Sequence, residues 1–248
     1  MPRAGSGVSL TRPPPRRSPN KLLAALPAAD YRRILSSLKT VPLKFKQSLH
    51  KHGERINTVY FPGGGVCSVT SVMNDGRMVE VATIGREGMV GITAFSGDGV
   101  AVGEAFVQVP DGEGQSMSIE AFRHELDRRG SFHSLIARYS QAHLALVMQS
   151  TACNGLHHVE ERCARWLLMT QDRVGRANFQ LTHEFLGMML GVRRPTVSLV
   201  LGTFNKAGII QNGAKRITVL DRARLERTAC ECYQIVQDNF TRLLPDPL

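Results

Sequence analysis

The segment SFHSLIARYSQAHLALVMQSTACNGL, Ser131 to Leu156, contains no proline and sets Leu135, Ile136, Tyr139, Leu144, Leu146, Val147 and Ala152 at helical spacing. One continuous helix of this length constrains the fold more than any other feature, because its apolar stripe must be covered. A twin helix from a second copy is the simplest cover. Packing of the whole stripe within its own chain is the alternative.

The texture before this helix is different. Lys21 to Leu38 has a helical pattern that Pro27 interrupts, or restarts as a second short helix. From about Val41 to Phe122, short β-rich runs (RINTVYF, VCSVTSV, MVEVATI) alternate with turn signals (PGGG, NDG, GREG, SGDG, PDGEG). Asn74-Asp75-Gly76 suits a type I′ hairpin. Many short strands at this spacing predict an antiparallel sandwich or roll.

After the long helix, Val159 to Arg173 is predicted as another helix, carrying the only tryptophan, Trp166. LTHEFLGMMLGVRRPTVSLVLGTFNKAGII, Leu181 to Ile210, then reads as two short helices around a glycine. Thr182 is a good N-cap, Gly191 permits a left-handed helix stop, and Pro195 suits the first position of the second helix. Arg194 would then be the cap, with Arg193 just outside. Val197, Val200, Leu201 and Phe204 supply the buried face. A tight helix–turn–helix exposes the N-terminal residues of its second helix to base edges in a major groove. Here those are Arg193, Arg194, Thr196 and Ser198, and arginine matches the N7 and O6 acceptors of guanine. IIQNGAKRITVL follows as a small hairpin, whose Lys215 and Arg216 would contact phosphate. Asp221 is expected to cap one last helix running towards Phe240.

Charge agrees with this reading. The formal net charge is +10, from 31 basic and 21 acidic residues. Charge alone does not separate nucleic acid from membrane, but between Arg173 and Val219 the sequence has one acid, Glu184, among seven basic residues. The positive charge is not segregated on a helix face opposite bulky apolar residues, so a membrane-surface role is disfavoured. No run approaches 18 apolar residues, so no membrane-spanning helix is expected. MPRAGSGVSLTRPPPRRSPN has no apolar core typical of a secretory signal, and reads as a disordered basic tail. A cytoplasmic location is expected.

The helix-turn-helix stretch, the basic wing and the preceding long helix together resemble the Crp/Fnr family of bacterial transcription regulators, over about residues 40 to 220. The resemblance implies an α+β fold: an N-terminal antiparallel β-roll of cyclic-nucleotide-binding type (21–130), a long dimerisation helix (131–158), and a C-terminal winged helix-turn-helix with a C-terminal helix (159–248), after a tail over 1–20. It implies a homodimer that binds a palindromic operator in double-stranded DNA, with RNA polymerase as an expected partner and no enzymatic activity. It also implies that Thr182 contacts phosphate, Arg194 reads guanine and Thr196 touches the backbone. Pro195 and Leu199 stand where base-reading glutamate and arginine residues often sit, so the usual operator sequence does not carry over.

The effector is left unknown. Cyclic-nucleotide-binding members hold ribose and phosphate with a G-E turn and a nearby R-[ST] pair. Here Gly91 is followed by Ile92 and Thr93, and no Arg or Lys lies between Arg86 and Arg123. A buried phosphate without a cation is costly, so cyclic AMP is not expected. An Fnr-type iron–sulfur cluster needs four cysteines, and only Cys67 lies in the first 150 residues. Cys153, Cys163, His157 and His158 gather around the end of the long helix and could serve a metal- or haem-dependent sensor. Packing of the cysteines as small hydrophobes, with helix-capping histidines, is preferred. Cys230 and Cys232, two apart on a helix, are expected to point apart, so neither metal nor cofactor is assigned. The odd number of cysteines, without C-x-x-C, reads as reduced thiols. The remaining alternative is a cupin-like metal-binding enzyme built on His50, His52 and Glu54, which would share a face on a strand.

Overall fold

The computed structural model describes residues 17–245. Residues 1–16 of the expected tail lie outside that range, and the last residues of the tail are packed. Ser18 and Asn20 are buried. The Asn20 amide donates to Pro62 O (2.9 Å) and Gly88 O (2.8 Å), and its Oδ1 caps α1 (Lys21–Ala24). Pro27 does open a second helix, α2 (Ala28–Ile34).

The roll follows as β1 (Lys39–Pro42), β2 (Ser48–His50), β3 (Thr58–Pro62), β4 (Val66–Val72), β5 (Met78–Ile84), β6 (Glu104–Val109) and β7 (Glu113–Ser118). They form two antiparallel sheets, ordered β1-β7-β3 and β2-β6-β4-β5. The β4–β5 hairpin turns at Asn74–Gly76, but only Gly76 has positive φ (+80°), and its N–H returns to Met73 O. The loop is therefore not the expected type I′ turn, which needs positive φ at two residues. Ser118 caps α3 (Ile119–Asp127), which leads into α4 (Ser131–Leu156), unbroken as its proline-free sequence requires.

The stripe of α4 divides between two duties. Leu135, Ile136, Tyr139 and Leu146 are buried in the core of their own chain. Leu144 (58% exposed), Met148 (65%) and Leu156 (80%) face outward, so the surface left for a partner is a different face from the one holding Leu146.

Beyond α4 come α5 (Val159–Val174), β8 (Asn178–Gln180), α6 (His183–Leu190), α7 (Arg194–Lys206), β9 (Ile210–Asn212), β10 (Arg216–Val219), α8 (Arg222–Thr228) and α9 (Cys232–Leu243). β8, β10 and β9 pair as a small antiparallel sheet. Asp221 caps α8 as expected, but the chain breaks after Thr228 and α9 starts anew. α9 lies against α4 rather than within the winged unit: Val236, Phe240 and Leu243 share a core with Leu135, Ile136 and Tyr139. The winged unit has its own core, built on Trp166, Leu186, Val197, Leu201 and Ile217, and this core takes in Val66 and Val109 of the roll.

Candidate nucleic-acid interface and its connection to the roll

Thr182 caps α6, its Oγ1 accepting from Phe185 N–H at 3.2 Å. The hydroxyl proton remains available to an outside acceptor. Gly191 ends α6 in the left-handed region (φ +65°). Gly187 lets the turn close, because a Cβ there would stand 2.9 Å from Val192 O. The entry to α7 is one residue earlier than expected. Arg193 is the N-cap, in extended geometry (φ −74°, ψ 148°), and Arg194 is already helical. The reason is local: Arg193 O accepts from Thr196 N–H at 3.0 Å, and a proline in the second helical position forfeits no bond, since that amide has no partner inside the helix.

Arg193, Arg194 and Pro195 are exposed at this mouth, and Thr196 and Ser198 are partly exposed. Val197, Val200, Leu201 and Phe204 turn inward as expected. Leu199 lies outward at 72% exposure. Lys215 and Arg216 are exposed on the hairpin between β9 and β10, where Gly213 N–H donates to Arg216 O (2.8 Å). Among the described residues no ion pair involves Arg193, Arg194, Lys215 or Arg216, whereas Arg176 is held by Asp111 at 3.2 Å and Arg222 by Asp172 at 2.8 Å.

One organising residue was not visible in the sequence. His183 Nδ1 meets Ser198 Oγ at 2.9 Å and its Nε2 meets Asn212 Oδ1 at 3.1 Å. It therefore ties α6 to both α7 and the wing, and it engages Ser198 internally. Partners 15 and 29 residues away leave no local signal.

The winged unit is joined to the roll through two buried polar links, which likewise have no local signal in the sequence. Trp166 Nε1 donates to Glu80 Oε1 at 2.8 Å, and Ser68 donates to Glu80 Oε2 at 2.6 Å. Burial pushes the Glu80 carboxyl up to about 7. The second link is Arg173, 2% exposed, whose Nε donates to Glu87 Oε1 (2.9 Å), Nη1 to Met169 O (2.9 Å) and Nη2 to Thr83 O (3.2 Å). Phe106 of β6 and Phe185 of α6 add an edge-to-face contact at 5.8 Å.

A cavity of about 380 Å³ opens between the β2-β6-β4-β5 sheet, the loop residues that follow β5, and α4, lined among others by Ile56, Val90, Ile92, His50, His143 and Leu144. No Lys or Arg lines it. His50 Nε2 donates to Thr58 O at 2.7 Å. Burial lowers the pKa of both histidines, that of His143 to about 4, so the lining is neutral near pH 7. The supposed cupin set is dispersed: His50 ends β2, while His52 and Glu54 are exposed in the following turn.

The cysteines depart most from expectation. Cys163 is buried in the winged-helix core and His158 is exposed, so neither belongs to a site. Cys230 precedes α9 instead of sitting in it. Cys230 and Cys232 therefore converge, and the ligand atoms of Cys153, His157, Cys230 and Cys232 all lie within 4.8 Å of one another.

Comparison with known proteins agrees with this architecture. Residues 161–228 match the Crp-like helix-turn-helix domain family. The transcriptional regulator LdrP of Thermus thermophilus is 26% identical over 200 residues, covering 74% of this chain and 93% of that protein. Among solved structures, a CRP-family transcriptional regulator, also from Thermus thermophilus, superposes with a TM-score of 0.63 at 24% identity, covering 77% of this chain and 96% of its own. The c-di-GMP-responsive global regulator CLP of Xanthomonas campestris gives 0.63 at 15% identity, covering 78% and 99%. With a β-roll, a long helix and a winged helix-turn-helix in this order, the chain is similar to Crp/Fnr-type transcription regulators, and its residues 161–228 form a Crp-like helix-turn-helix domain.

Proposed function

We propose that the protein works as a homodimer that binds a palindromic operator, with residues 21–130 as sensor, the long helix joining the protomers, and α7 entering the major groove. The observation that carries this reading is the pair of exposed arginines, free of ion pairs, at the head of α7. A groove-facing helix needs charges that are not already neutralised. Arg194, in the first turn, reads a guanine, and Arg193, on the extended residue before it, neutralises phosphate. Thr196, Lys215 and Arg216 add backbone contacts, and Thr182 donates its hydroxyl proton to phosphate. Ser198 keeps only the capacity that its bond to His183 leaves it. Leu199, where the family often has a polar reader, offers an apolar contact to a thymine methyl.

Dimerisation falls to the outward face of α4, where Leu144, Met148, Ala152 and Leu156 recur every four residues. The neutral, largely apolar cavity suits an uncharged effector and disfavours a cyclic nucleotide, whose phosphate would be desolvated without a cation. An occupant would touch His143 and Leu144 of α4 directly. RNA polymerase is the further partner, the location is cytoplasmic, and no catalysis is assigned.

The test is selection of bound sites from a randomised duplex library, repeated with Arg194→Ala and Arg193→Ala at two salt concentrations. A two-fold symmetric site is expected. Arg194→Ala should cost about 1–3 kcal/mol and relax one base pair per half-site. Arg193→Ala should weaken all sequences alike and lower the salt slope by roughly one unit for each phosphate no longer neutralised. An unchanged base preference in Arg194→Ala would show that the roles are assigned wrongly, and failure to enrich any symmetric site would remove the reading itself.

A further inference from the structure

At the joint between the long helix and the winged unit, four ligand-bearing side chains converge. Cys153 and His157 lie four residues apart on the last turn of α4, so they share a face. His157 is the residue on which α4 ends, its N–H still donating to Cys153 O at 3.1 Å. Cys230 and Cys232 come from the break before α9 and its first residue. Cys153 Sγ and Cys230 Sγ are 3.5 Å apart, as are Cys232 Sγ and His157 Nδ1.

We propose that Cys153, His157, Cys230 and Cys232 form a Cys₃His site for one zinc ion, clamping the C-terminal helix α9 to the end of the long helix. The spacing selects a single tetrahedral ion. Thiolates sharing one zinc at about 2.3 Å stand roughly 3.7 Å apart, and all four ligand atoms here fall within 4.8 Å of one another. An iron–sulfur cluster distributes its cysteines over several irons and needs a wider set. Three sulfurs and one imidazole with no open position match a structural zinc site rather than a catalytic one.

The surroundings are those of a metal site. Glu231 Oε2 lies 3.3 Å from His157 Nε2. That contact places the ring proton on Nε2 and turns the Nδ1 lone pair towards the sulfurs, the carboxylate–histidine arrangement that orients metal-bound imidazole. Gln149 Nε2 donates to Cys232 Sγ at 3.0 Å, a bond that stabilises a thiolate. Arg165, 7% exposed, has Nε and Nη1 without hydrogen-bond partners among the described residues. It acts electrostatically on Cys153. Three thiolates, one neutral imidazole and Zn²⁺ sum to a net charge of −1, which this nearby guanidinium, free of hydrogen bonds at Nε and Nη1, helps to offset. Cys153, Cys230 and Cys232 are buried and His157 is half-buried at the rim, which leaves the ion a path in. Because α4 passes to α5 at His157 and His158, the ion would fix the joint on which the winged unit is carried.

The full-length protein, reduced and stripped with a chelator, is titrated with Zn²⁺ and separately with Co²⁺. One ion per chain is expected, with the intense visible absorption of tetrahedral Co²⁺ and a thiolate-to-metal charge-transfer band, both erased by added Zn²⁺. His157→Ala, at the rim, keeps the fold and should weaken binding about 100-fold or more. Glu231→Gln should cost about 10–100-fold. Cys163→Ala, outside the cluster, should bind as the parent does. A wild-type protein giving no tetrahedral cobalt spectrum, affinity unchanged in His157→Ala, or iron–sulfur absorption in place of one zinc overturns the assignment. None of these readouts depends on DNA binding.

Discussion

Glu80 is the only described carboxyl pushed up to about 7, and it sits where the roll meets the winged unit, against the single tryptophan. Burial is the main cause; the hydrogen bonds from Ser68 and Trp166 and the charges of Arg165 and Arg173 oppose it without cancelling it. A carboxyl whose folded pKa is raised favours the native state at low pH. Its contribution is complete below its ordinary value of 4.5 and is lost as pH rises through about 7. At 1.36 kcal/mol per pH unit, that interval corresponds to about 3 kcal/mol. Glu80→Gln keeps an oxygen acceptor for the Trp166 N–H and cannot ionise. Urea unfolding followed by circular dichroism from pH 4.5 to 8.5 should therefore show wild type and variant of similar stability at the acid end. Wild type should then fall behind by about 3 kcal/mol at the alkaline end. Histidine titrations common to both proteins cancel in the difference. Trp166 fluorescence should titrate in the same range in wild type and stay flat in the variant. Parallel stability curves, or a flat Trp166 signal in wild type, would refute the reasoning.

Met148→Glu, on the outward face of α4, should convert dimers to monomers and weaken operator binding. Removing one such side chain from each copy costs about 4 kcal/mol across the pair, and sedimentation showing wild-type monomers at micromolar concentration would sink the dimer. Leu146→Glu should instead damage the chain's own core and lower its melting temperature, because Leu146 is 1% exposed. Cyclic AMP and cyclic GMP should give no heat of binding at physiological concentrations, and a micromolar dissociation constant by calorimetry would overturn the neutral-cavity argument. Glu87→Ala leaves Arg173 charged and buried without its carboxylate and should cost about 3–5 kcal/mol; a loss below about 1 kcal/mol in urea unfolding would show that the pair is dispensable.

Periodic patterns and punctuation made the elements legible in the chain itself. The β-rich runs became β3, β4 and β5, the proline-free segment became α4 to the residue, and the residues around Gly191 became a helix-turn-helix. These features are set by neighbours a few residues away, so a linear reading captures them. The two arginines proposed to meet DNA are exposed at the head of α7, where the same linear reading puts them. The entry to α7 was misplaced by one residue because proline is tolerated at either of the first two helical positions, and only the Arg193 carbonyl bond distinguishes them.

Which of two apolar faces a helix buries, and which distant side chains meet, depended on tertiary packing. Leu146 and Leu144 look alike in sequence, yet α9 and the roll cover one and leave the other exposed. His183 joins Ser198 and Asn212, Trp166 finds Glu80, and Arg173 finds Glu87 across separations that carry no periodic signal. The cysteines show the same physics most clearly. Cys230 and Cys232 would diverge on an unbroken helix, but the break after Thr228 and the packing of α9 on α4 bring both to Cys153 and His157. The composition of the chain limited what this cluster could be; only the three-dimensional return of its last helix decided that there is one.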